Sequence, residues 1–125
     1  MTKWASISLI ALGLLHLAVL GIDAFNYFGR WAQLQLWTFE HWGPLTTQSA
    51  EMVQSNAAFW STVGSFAVPT IVLGYVLFWL DQKNIVVPVG VGWGLLAWQM
   101  AGAAVMLPAG FILGVGVTLV LLVGL

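Results

Sequence analysis

The stretch GLLHLAVLGID, residues 13–23, sets His16 in an otherwise apolar run that Asp23 closes. An imidazole can donate a hydrogen bond, ligate haem or relay a proton, and an ionisable side chain inside a membrane span is a functional candidate by default. A relay needs a second titratable group within reach. Asp23 shares the helical face of His16 but lies about 10 Å further along the axis, so water would have to bridge the two. Asp23 itself reads as a solvated helix end that pairs with Arg30. Glu40 and His41 are neighbours in FEHW, residues 39–42. Adjacent side chains do not face one another, and the i, i+4 histidine pair of an H-E-x-x-H site is missing. They read as the polar tip of an aromatic loop. The sequence has no cysteine, which removes thiolate chemistry, disulfides and Cys-ligated metals. No catalytic group, cofactor or metal site is expected.

Two more polar residues share the depth of His16. Counted from the outer ends of their apolar runs, His16 lies about six residues deep and Ser65 and Gln99 about seven, within one helical turn of a common height. Each has small neighbours at helical spacing: Gly13 for His16, Ser61 for Ser65, and Gly92, Gly102 and Ala103 for Gln99. Small faces let helices approach closely. Pro69 has no N–H, so inside a helix it frees the carbonyl of Ser65, and an unpaired carbonyl is costly in lipid. The expectation is a structural, hydrogen-bonded layer of His16, Ser65 and Gln99 inside the bundle, stapling three spans together at the Pro69 break.

The elements that must carry these residues are four apolar runs, about 4–22, 58–80, 85–106 and 109–125. Runs near 20 residues mark membrane helices, because a helix satisfies its own backbone in hydrocarbon. DQKN (81–84) and LPAG (107–110) are short enough for tight antiparallel turns, with Pro88 and Pro108 tolerated in first helical turns. The predicted fold is all-α: an antiparallel four-helix transmembrane bundle forming one domain over residues 1–125, with one aromatic-rich extramembrane loop at 23–57. The first run exceeds the roughly 7–15 residues of a signal-peptide core and has no A-x-A-like site before Asp23, so it reads as a retained helix. The loop holds three of the eight tryptophans, residues that favour the headgroup level. Thr46 or Thr47 is the expected N-cap of a helix continuing into the second span. Gly90/Gly94 and Gly110/Gly114 are small-xxx-small pairs, read as helix-packing positions.

Composition agrees. The 125 residues are 61% hydrophobic and 6% charged, against about 25% charged in soluble domains, and mean hydropathy is +0.98. So few charges cannot solvate a globular surface, and lipid must replace much of the water. A net charge of −1 with no basic cluster argues against nucleic acid as a partner. Lys3 and Lys83 fall on one side of the four spans and Arg30 on the other, which puts both termini in the cytoplasm.

KWAS and GLLHL near the start, AFWSTVGSFAVPTIVLG in the second run and LPAGFILG at the last run give the chain a family resemblance. Trp4, His16, the block from Phe59 to Pro69, Trp93 after a glycine, and Leu107 to Phe111 carry it. The chain resembles small bacterial four-helix membrane proteins grouped as a domain of unknown function. The resemblance implies four spans and supplies no activity, catalytic residue or cofactor. The expected role is that of a non-enzymatic structural or accessory component of a bacterial inner membrane. Its partners would be the lipid bilayer and a membrane protein or a second copy, met through the aromatic loop and the glycine faces. The alternative is a small haem- or quinone-binding redox module using His16 near the outer side. A proton-coupled exporter fits poorly, since all four acids lie at helix ends or in loops.

Overall fold

A computed structural model describes residues 1–36, 38–106 and 110–125. Trp37 and most of the expected LPAG turn, including the helix start at Pro108, lie outside the described residues. All regular structure among the described residues is helical: α1 (Thr2–Leu20), α2 (Phe28–Ala32), α3 (Ala50–Ser61), α4 (Ala67–Gln82), α5 (Val89–Val105) and α6 (Phe111–Gly124). Short 3-10 turns occupy Asp23–Asn26, Phe39–Trp42 and Leu45–Thr47. The chain divides into two compact units, Met1–Leu14 with Pro69–Leu125, and Leu15–Val68.

In the first unit, Ala5, Leu9, Leu77, Val87 and Leu121 form a buried core, with Leu73, Leu95 and Val117 packed against it. Helices α5 and α6 run antiparallel: Gly92 at the start of α5 lies against Leu122, and Gly102 near its end against the Phe111 ring. The Thr2 hydroxyl donates to the Gly124 carbonyl at 3.0 Å, tying the start of α1 to the end of α6. Ser6 and Thr118 are buried hydroxyls, each donating to the carbonyl four residues back at 2.8 Å. Polar side chains can thus sit in an apolar core without an unpaired donor.

Helix α4 stops by backbone geometry. Asn84 has φ 53°, the left-handed conformation that asparagine tolerates better than most residues. The Ile85 N–H reaches the Leu80 carbonyl at 3.0 Å and the Asn84 N–H reaches the Asp81 carbonyl at 3.1 Å. This is the Schellman pattern, which satisfies two end carbonyls. Leu34 closes α2 in the same way, with φ 61° and bonds from Gln35 to Arg30 and from Leu34 to Trp31.

The expected second run, 58–80, is in fact two helices, α3 and α4, with turns between them. Three hydroxyls turn back on the local backbone there. Ser61 and Thr62 donate to the Ala58 carbonyl at 3.2 and 2.6 Å, and Ser65 donates to the Thr62 carbonyl at 2.6 Å. Such bonds compete with the helical ladder. Gly64 is required in this turn, because a Cβ would meet the Phe59 ring at 2.7 Å and the Trp60 ring at 2.9 Å. Pro69 therefore lies in the first turn of α4, where no intrahelical bond is lost. The premise that it frees a mid-helix carbonyl at Ser65 is corrected. So is the cap: Ser49 caps α3 by accepting the Met52 N–H at 3.2 Å, while Thr47 donates to the Pro44 carbonyl at 2.8 Å.

Candidate functional site

The second unit is organised by Trp31. Its ring stacks on Tyr27 at 6.2 Å and meets Phe28 and Phe59 edge-on at 5.3 and 5.6 Å. Its indole N–H donates to the Ser55 hydroxyl at 3.0 Å. Trp31 joins α2 to α3 through both its apolar ring and its polar edge. Edge-on contacts continue from Phe28 to Phe25 and from Phe59 to Trp60. Headgroup-level preference alone does not give the loop tryptophans such a role. The signal available was the helical spacing of Trp31 from Tyr27 and Phe28, but nothing in the sequence pointed to Phe59.

A polar cavity of about 270 Å³ opens between these elements, lined by Arg30 and Gln35, by Thr38, Glu40 and His41, and by Ser49, Glu51, Met52 and Ser55. Arg30 is ion-paired with Glu51, both side chains being about half exposed (49% and 59%). The expected Arg30–Asp23 pair is thus replaced, and Asp23 lies exposed in the 3-10 turn after α1. The FEHW segment forms a 3-10 turn whose side chains split. Phe39 and Trp42 point outward, 95% and 84% exposed. Glu40 and His41 line the cavity, and His41 Nδ1 shares a 2.8 Å hydrogen bond with the Thr38 hydroxyl. Gln48 braces this turn, its amide donating to the carbonyls of His41 and Gly43 at 3.3 and 3.0 Å.

His16 Nε2 lies 3.1 Å from the Ser61 carbonyl. A carbonyl only accepts, so the proton is on Nε2, and the bond satisfies an end carbonyl of α3 that has no helical donor. His16 is exposed, which corrects the expectation that its ring points into a bundle interior. Ser65 is half-buried and bonds locally, donating to Thr62 and accepting from the Ala67 N–H at 3.2 Å. The staple inferred for these side chains is replaced, at His16 and Ser65, by bonds within the second unit. An apolar groove of about 280 Å³ lies nearby in the same unit, lined by Leu17, Gly21, Phe25, Phe28, Thr62 and Val63 among others.

In the first unit Gln99 is 6% exposed. Its amide is packed against Gly114, where an added Cβ would collide with it. Of the four glycines expected to pack helices, Gly114 alone does so among the described residues. Gly90, Gly94 and Gly110 have open space where a Cβ would stand. The glycines at close contacts between elements of this unit are Gly74, Gly92, Gly102, Gly114 and Gly124. Gly90 and Gly94 stand on a face of α5 that no described part of the chain covers, because small-xxx-small spacing scores residue size and not which side a neighbour within the chain occupies. Among the described residues no group of three or more His, Asp or Glu side chains converges to hold a metal ion.

Comparison with known proteins gives a family and nothing finer. A family model described as a family of unknown function, DUF6463, matches residues 1–124. No curated protein and no solved structure matches the chain. With the model spanning nearly every residue, the chain belongs to DUF6463, a family of unknown function.

Proposed function

We propose that this chain is a polytopic membrane protein of the bacterial inner membrane, with a structural or accessory role rather than an enzymatic one. The observation that carries this reading is the outward display of large apolar side chains along α1, α4, α5 and α6. Leu15 and Val19, Val72 and Trp79, Trp93 and Met100, and Ile112 and Leu113 are all exposed, on a chain with seven Asp, Glu, Lys and Arg residues in all. Helices that are apolar all round are buried in protein or in lipid, and here little protein covers them.

By length and composition α1 is the one helix among the described residues long enough to cross a membrane; α4, α5 and α6 are apolar but have 16, 17 and 14 residues. At 1.5 Å per residue they reach roughly 21–26 Å, short of a hydrocarbon core near 30 Å. Local thinning accommodates that shortfall at modest cost. Before α5, the exposed Ile85 and Val86 extend its apolar reach. Lys3 and Lys83 would face the cytoplasm, with the aromatic segment on the far side. A membrane-protein partner or a second copy would meet the open glycines of α5. Alkaline carbonate washing of membranes from expressing cells tests the reading: the chain should stay in the pellet, and release into the supernatant would refute it.

A further inference from the structure

We infer that the polar cavity of the second unit binds a primary ammonium carried beside a phosphate ester, the headgroup chemistry of phosphatidylethanolamine; the lipid as its source rests on the membrane reading above. At about 270 Å³ the cavity is smaller than the roughly 300–1,000 Å³ of drug-sized pockets. Against the ~30 Å³ share of one water molecule, it suits a headgroup rather than a whole lipid.

The charges around it are divided as a zwitterion needs. Arg30 and Glu51 neutralise one another, which leaves the Glu40 carboxylate without an ion-pair partner among the described residues. That carboxylate accepts from an ammonium. At the same time the cavity retains donors for phosphate oxygens. Ser49 and Ser55 accept the Met52 N–H and the Trp31 indole N–H through their oxygens, and neither hydroxyl proton has an acceptor among the described residues. Arg30 is ion-paired with Glu51, and a guanidinium carries five N–H donors, more than one carboxylate takes up.

A primary ammonium fits better than a quaternary one. Quaternary ammonium has no N–H and is held by aromatic cages, whereas the described lining consists mainly of carboxylates, hydroxyls and an amide. Phe39 and Trp42 lie on the same turn as Glu40 and His41 and are almost wholly uncovered, as expected of rings seated among headgroups.

The test uses the full-length chain in nanodiscs of equal phosphatidylethanolamine and phosphatidylcholine, with lipids retained after mild detergent extraction counted by mass spectrometry. The expected result is about tenfold retention of the ethanolamine lipid, the factor carried by one charge-assisted hydrogen bond. Glu40→Gln should bring that ratio to within about twofold of parity. Asp81→Asn, which removes a carboxylate in the other unit, should keep it. Glu40 is exposed and makes no side-chain bond in the described structure, and unchanged far-UV circular dichroism checks that the variant folds. In a second arm, ³¹P line broadening of soluble phosphoethanolamine is compared with that of phosphocholine. Glu40-dependent broadening without a lipid preference upholds the chemistry and makes the source soluble, even if carbonate washing refutes the membrane reading. No preference over choline in either arm, or a preference unchanged in Glu40→Gln, overturns the inference.

Discussion

His16 meets a different neighbour from the one its depth in the apolar run suggests. Its presence in an apolar run marked it as a hydrogen-bond donor, and its acceptor is the Ser61 carbonyl at 3.1 Å, at the end of a helix expected to continue into the next apolar run. His16→Ala should lower the unfolding free energy by about 1 kcal/mol, the usual net worth of one such bond. His16→Gln should recover part of that in detergent unfolding followed by circular dichroism. Backbone strain at Leu34 leaves no mark in the sequence. Leu34 and Asn84 both adopt positive φ, and only asparagine advertises that conformation. Leu34→Gly should stabilise the protein by about 1 kcal/mol, because a left-handed L-residue costs roughly 1–2 kcal/mol. Asn84→Val should destabilise it by a similar amount, read from the same unfolding curves.

At the scale of elements, the sequence placed α1, α5 and α6 within a few residues, since runs of apolar residues bounded by DQKN and LPAG leave little choice. It failed between 58 and 69. Ser61, Thr62, Gly64 and Ser65 are each tolerated inside a membrane helix, so hydropathy does not register the break they make together. Pro69 distinguishes the two pictures. In the first turn of α4 its replacement by alanine changes stability by less than about 0.5 kcal/mol, whereas relief of a proline from a helix interior would yield about 3 kcal/mol. Glycines separate in the same way. Gly114→Ala drives a methyl into the Gln99 amide and should cost about 1–3 kcal/mol by overpacking. Gly90→Ala meets open space and should stabilise α5 by about 0.5–1 kcal/mol through helix propensity. Thermal unfolding of the two variants side by side checks the contrast.

For the whole molecule, the all-helical class was legible from hydropathy alone, and family membership adds no activity. The candidate site was legible only in its parts. Glu40, His41 and Asp23 were picked from the sequence, but Arg30 pairs with Glu51 rather than Asp23, and Trp31 binds Ser55 across 24 positions. Contacts at that separation depend on where helices stop. The membrane reading rests on unburied apolar side chains and on sparse charge, and its most direct check is cysteine accessibility, since the chain has no cysteine of its own. Gln33→Cys, Lys83→Cys and Leu119→Cys should be expressed in intact bacterial cells and treated with a membrane-impermeant maleimide. Position 33 should label at once, position 83 only after permeabilisation, and position 119, on an exposed side of α6, in neither state. Labelling of all three positions alike in a soluble fraction would contradict the account.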